Sequence, residues 1–193
     1  MLQVLYLLNL NQKEREMKKL VLAIGLALFS FAAFAEDGQE LTTIIGTNID
    51  MKLYDHAMAG SIKDFVAWGF FDEANGNAEM IMRKYEQTIK TVFKKQENGK
   101  FGGTVSHTKD NVRYDTVVEF VKVDAAKKEI HLKIDNEDVV ITTEPESVNA
   151  GHMVNPKFTT TLKGETVSYV LGGESCFGKS TFFAMMILGA YSH

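Results

Sequence analysis

The segment from Ala78 to Glu97, AEMIMRKYEQTIKTVFKKQE, decides how the rest of the chain is arranged. At about 100° per residue, Ala78, Ile81, Met82, Tyr85, Ile89, Val92 and Phe93 fall within an arc of about 120°, and only Met80 strays. Asn77 stands where a helix cap belongs, Glu79 suits the positive end, Lys94 and Lys95 suit the negative end, and Gly99 lies just beyond. A pair of strands is the alternative. It fails on alternation over Ala78 to Glu86, where Met80 and Met82 would share a face with Lys84 and Glu86. The segment therefore reads as one amphipathic helix of about five turns.

Such a helix needs a surface to lie on. Burying its seven in-arc side chains contributes on the order of 10 kcal/mol gross, against ordering costs of about 1 to 2 kcal/mol per residue. The flanking sequence supplies a sheet. Leu41 to Ile45 and Met51 to Tyr54 offer two strands, and Asp64 to Phe71 reads as a strand buried on both faces. Phe101 to His107, with Gly102 and Gly103, suggests a short or bulged edge strand. Tyr114, Thr116, Val118 and Phe120 share one strand face, and Ile130, Leu132 and Ile134 alternate with Glu129, His131 and Lys133. Val139 to Thr143 follows, then a polar loop from Pro145 to Pro156. Phe158 to Leu162 and Val167 to Leu171 form a hairpin about Lys163 and Gly164. Phe182 to Tyr191 is an apolar helix or buried strand. The expected fold class is α+β: a mainly antiparallel sheet of about six to eight strands, one long amphipathic helix packed on a face, and a C-terminal apolar helix or strand.

Upstream, Lys18 and Lys19 lead into an apolar run from Leu20 to Phe31, and Ala33-Phe34-Ala35 supplies small residues for cleavage. This is the layout of a secretory signal peptide over residues 17–35, with cleavage between Ala35 and Glu36. The apolar run is shorter than the roughly 18 to 20 residues of a membrane span. Residues 1–16 have no place in such a leader and read as an extension from a mis-chosen start. Residues 36–193 then form a single domain, periplasmic or secreted, with no stable membrane span after processing.

That domain carries 23 acidic and 17 basic side chains, a balance that argues against nucleic acid as the main partner. Its one cysteine, Cys176, has no internal partner for a disulfide and reads as a small buried apolar side chain.

Four patterns invite a chemical reading. Gly173-Glu-Ser-Cys-Phe-Gly-Lys-Ser180 satisfies the phosphate-loop pattern. Only 13 residues follow it, too few for the strands and aspartate that hold magnesium in that architecture, so a glycine-punctuated turn is expected. The histidines His56, His107, His131, His152 and His193 are scattered, and the soft pairs His56 with Met58 and His152 with Met153 are the one arrangement that suits copper. No metal or cofactor is expected. Ser175 lies outside any nucleophile-elbow motif, and carboxylate spacing selects no acid and base pair. Asp135 to Asp138 reads as a solvated turn. Finally, Phe65, Trp68, Phe70 and Phe71 form an aromatic-rich segment, the candidate ligand-facing surface.

The function these features favour is a non-catalytic exported module that binds an apolar small molecule or a cell-envelope protein. An exported hydrolase with an unlocated carboxylate or histidine site is the first alternative. A small outer-membrane β-barrel is the second, suggested by length and alternation.

Overall fold

The computed structural model describes residues 42–72, 75–96 and 100–193. The expected leader, its expected cleavage point between Ala35 and Glu36, and the extension before it lie outside those residues. The deciding segment is a hairpin. β5 (Asn77–Lys84) and β6 (Gln87–Lys95) pair antiparallel, with Ala78 opposite Phe93, Met80 opposite Thr91 and Met82 opposite Ile89. These six side chains are buried on one face, while Glu79, Arg83, Lys90 and Lys94 are exposed on the other. Tyr85 and Glu86 make the turn, with Tyr85 at φ 51° and 95% exposed. Lys84 and Glu86, whose place broke the alternation, belong to the turn and not to the strand face.

The same pattern repeats around a closed wall. Before the hairpin come β1 (Thr42–Gly46), β2 (Ile49–Leu53), β3 (Ala57–Ile62) and β4 (Phe65–Asp72). After it come β7 (Phe101–Lys109), β8 (Val112–Asp124), β9 (Glu129–Ile134) and β10 (Glu137–Glu144). β13 (Lys157–Leu162) and β14 (Glu165–Leu171) complete it. Strand neighbours follow chain order, and β14 pairs with β1 to close a twelve-stranded antiparallel barrel. The loop after β10 forms β11 (Ser147–Asn149) and β12 (His152–Val154), which join β15 (Glu174–Ser175) in a small three-stranded sheet.

The α+β expectation is thus corrected: twelve strands form a closed barrel, with no long helix on a face. Closure fits the outer-membrane alternative better than the favoured reading, although a small binding barrel shares this form. It departs from the open sheet on which the favoured reading was built. One rim carries only two-residue turns, among them Asp110-Asn111, Asp135-Asn136 and Lys163-Gly164, where both residues have positive φ and match the twist of the flanking strands. The opposite rim carries the longer connections. Gly103 on β7 lets the β6 backbone approach closely: a Cβ there would stand 2.2 Å from the Val92 carbonyl oxygen.

Twelve strands enclose more space than their own inward side chains fill. The chain fills it with α1 (Phe177–Tyr191), settling the terminal segment as helix. Every residue from Ser180 to Tyr191 is buried, as expected for a helix that is apolar all round. A barrel without edges offers a further segment no strand to pair with, and a helix satisfies its own backbone. α1 leans toward the β6 to β8 side of the wall. There the hydrogen-only side chain of Gly189 brings it against Val105, Val118 and Phe93. Phe182 and Phe183 meet Phe101 and Phe71 edge to face, with ring centroids 5.9 and 5.3 Å apart.

Candidate functional surfaces

Strand alternation splits the four aromatic candidates. Phe65 and Phe71 point into the barrel and are buried with the core. Trp68 and Phe70 point outward, so β4 is buried on one face and not on two. The correction follows from period-two geometry: neighbours in a strand cannot line one surface.

Outward positions of adjacent strands add what the linear sequence did not show. Register places Ile81 beside Trp68, and Val92 in the row running from Phe70 through Glu79. Val66 is 59% exposed, Phe70 55% and Val117 51%. Around them, Arg83 lies 5.7 Å from the centre of the Trp68 ring, and Lys90 pairs with Glu79 at 2.7 Å. Where this face meets the longer-looped rim, a cleft of about 650 Å³ is lined by His56, Phe70, Asp72, Glu79, Val92 and Lys94. A second cleft of about 370 Å³ shares Val92 and Lys94 and continues past Gln96, Thr104 and Val117. The two make a shallow, mainly apolar groove crossing five strands. At the usual strand spacing of about 4.8 Å, that is roughly 20 Å. The signal that could have found it is the outward half of each alternating run, once β5 and β6 are paired.

The phosphate-loop lookalike takes another form. Glu174 and Ser175 belong to the small sheet, Cys176 precedes α1, and Gly178 already lies in the helix. Ser180, whose hydroxyl the motif would offer to a metal, is buried at the barrel mouth and bonded to the Ser175 hydroxyl at 2.8 Å. Cys176 is exposed and not buried as expected, and its Sγ accepts the Lys179 N–H as the helix cap. In each histidine and methionine pair the two side chains differ in burial. Met58 and Met153 are buried, and His56 and His152 exposed. Among the described residues, no group of three or more metal-ligating side chains occurs.

The rim of two-residue turns holds a cluster that sequence spacing could not join. His107 on the lumen side of β7 meets His193, just beyond α1, with ring centroids 5.5 Å apart. Lys63 and Lys163 donate to the Tyr191 and Ser192 carbonyl oxygens at 2.8 and 2.6 Å. Burial is the first cause holding His193 down to about 4, reinforced by His107, Lys163 and Lys63 and opposed by Asp135. His107 is lowered by burial and then by Lys109, and Lys63 by burial, with Glu165 opposing.

No protein-family model, curated protein or solved structure matches this chain at a significant level. Among the described residues, no helix is long and apolar enough to cross a membrane, which says nothing of strands.

Proposed function

We propose that the protein is an exported, non-catalytic barrel, periplasmic or secreted, that binds an apolar ligand or an envelope partner across its outer wall. The observation that carries this reading is the position of α1. The lumen, where barrels of this kind hold small molecules, is occupied by the protein's own apolar helix. The exposed apolar side chains therefore lie outside: Val66 and Phe70 stand beside the half-buried Trp68, Ile81 and Val92, and others, such as Ile45 and Val140, lie elsewhere on the wall. A groove in which Phe70, Val92 and Val117 stand among Asp72, Glu79 and Lys94 suits a mainly apolar ligand that carries some polar groups.

Trp68 is the only tryptophan and reports on this face. An anilinonaphthalene sulfonate probe should bind the folded protein and accept energy from Trp68. Phe70→Glu combined with Val92→Glu should weaken that binding about tenfold, the loss of about 1.4 kcal/mol of apolar contact. Unchanged probe binding in that variant would remove the outer wall from the reading.

A second reading, the outer-membrane barrel, is supported by closure, by an even number of antiparallel strands, and by one rim of short turns opposite a rim of longer connections. It calls for an apolar band facing lipid. Outward positions on the wall mix exposed apolar side chains, Ile45, Val66, Phe70, Val117 and Val140, with exposed charged ones, Asp50, Lys52, Glu79, Lys90 and Glu119; a lysine facing lipid costs about 2 to 4 kcal/mol near the midplane, and a carboxylate less. Detergent decides between the two. The outer-wall reading expects the protein in the supernatant of a detergent-free osmotic extract, whereas the membrane reading expects it in the pellet, with heat-dependent gel mobility after detergent extraction.

A further inference from the structure

Most hydroxyls around α1 are satisfied at close range: Thr91 donates to the Met80 carbonyl, Thr160 to Val140, Thr181 to Phe177 and Ser192 to Gly189, while the separate Thr143 and Tyr169 hydroxyls have no partner. The two imidazoles at the short-turn rim differ. The Nε2 atoms of His107 and His193 are out of solvent reach and have no hydrogen-bond partner. A buried polar atom left without a partner costs about 1 to 3 kcal/mol, so a pair in ring contact calls for a reason.

Their surroundings supply one. Lys163, in the turn between β13 and β14, and Lys63, in the turn between β3 and β4, each clamp a carbonyl at the end of α1. Lys63 also stands 4.4 Å from the centre of the Tyr191 ring. Lys109, at the end of β7, faces His107. Against these three cations, Asp135, in the turn between β9 and β10, acts on His193, Glu137 and Asp138 share with it the cleft that Lys163 and Ser192 line, and Glu165 and Asp64 act on Lys63. A proton on either ring adds a like charge to the lysines and leaves an N–H without an acceptor.

We propose that His107 and His193 form an acid-operated latch on the lumen helix. Neutral, the two rings seal the short-turn mouth and let Lys63 and Lys163 hold the last carbonyls of α1. Protonated, they leave the mouth, and the final turn of the helix, Leu188 to Tyr191, is released. Both histidines are held below their ordinary value, so the unfolded or released form binds the proton more readily. The latch is shut above about pH 6.5 and opens as pH falls toward 4.

Amide hydrogen exchange, expressed as protection factors corrected for intrinsic rates, tests this on the intact protein. Between pH 7 and pH 4.5, protection at Leu188 to Tyr191 should fall about tenfold or more, while amides of Met80 to Met82 change less than about threefold. The double variant His107→Phe, His193→Phe should show no such selective fall. If the double variant does not fold, His193→Phe alone carries the same expectation. A selective fall that persists without the histidines would overturn the latch, as would a wild-type protein that loses protection everywhere at once or nowhere. Imidazole titration by nuclear magnetic resonance gives an independent reading, and a His193 midpoint at or above 6.5 would also overturn it.

Discussion

The β5–β6 hairpin and α1 meet inside the barrel, where Phe93 approaches Gly189, yet they answer the same burial problem in opposite ways. The hairpin hides one side of each strand and leaves the other wet. The helix hides every side. Both are rich in methionine and aromatic residues, so composition does not separate them. What separates them is the partner available for the backbone: β5 and β6 find ladders on both flanks, whereas α1 lies where no strand edge remains and bonds to itself. A segment's neighbours, more than its own propensity, set its conformation.

The comparison breaks most sharply at two adjacent residues. Met80 is buried in the lumen and Ile81 sits on the outer wall. Met80→Lys should cost about 3 to 5 kcal/mol or prevent folding, because it buries an unpaired charge. Ile81→Lys should stay within about 0.5 kcal/mol. Urea unfolding followed by Trp68 emission measures both. A helix with Ile81 on its buried arc and Met80 off it would give the reverse order, so one pair of variants tests the hairpin outright.

Next in size is the helix side of the same contact. Gly189→Leu drives a side chain into Val105, Val118 and Phe93, whose atoms stand 3.1 to 3.4 Å from where even a Cβ would sit. Overpacking of this kind costs about 1 to 3 kcal/mol and should lower the urea midpoint without changing the slope. A variant as stable as wild type would mean that α1 is held more loosely than the wall around it.

Lowering the pH should act on the helix end before the hairpin. With His193 depressed to about 4, the stability its neutral form contributes is complete above about pH 6.5 and is lost as pH falls toward 4. Allowing for its partial exposure, the loss is about 1 to 2 kcal/mol. Thermal melts at pH 7 and pH 4.5, compared between wild type and His193→Phe, should show the wild type losing more.

The smallest effect lies at the other end of α1. Cys176 caps the helix through a long sulfur contact of 3.5 Å, and an oxygen is the better acceptor there. Cys176→Ser should stabilise by about 0.5 to 1 kcal/mol in reducing buffer. No gain would mean that the small sheet of β11, β12 and β15, and not the cap, fixes where the helix begins.

Most of the wall was legible before the fold was known, because Ile130, Leu132 and Ile134, or Phe158, Thr160 and Leu162, alternate plainly and their turn at Lys163 and Gly164 carries its own signal. The hairpin was not, for a geometric reason. Partners across a two-residue turn, Met82 with Ile89, Met80 with Thr91 and Ala78 with Phe93, stand 7, 11 and 15 residues apart. Those separations lie close to two, three and four turns of a helix at 3.6 residues each, so the partners of each pair also coincide on a helix: Ala78, Met82, Ile89 and Phe93 share one stripe, and only Met80 with Thr91 falls on the opposite side. Strand β3, with Ala57, Ala59, Gly60 and Ser61, has too few large side chains to announce a face at all. The outer-wall groove and the His107 and His193 pair were hidden for a simpler reason. Both are made by register and closure, which join residues far apart in sequence.

One consequence follows from where the seam of the barrel falls. β1 closes against β14, more than a hundred residues later, and the space inside is filled only by the segment after that. Contacts this distant form slowly, and no early portion of the chain can complete its own interior. A polypeptide built this way cannot fill its interior until residues 177–191 have been made.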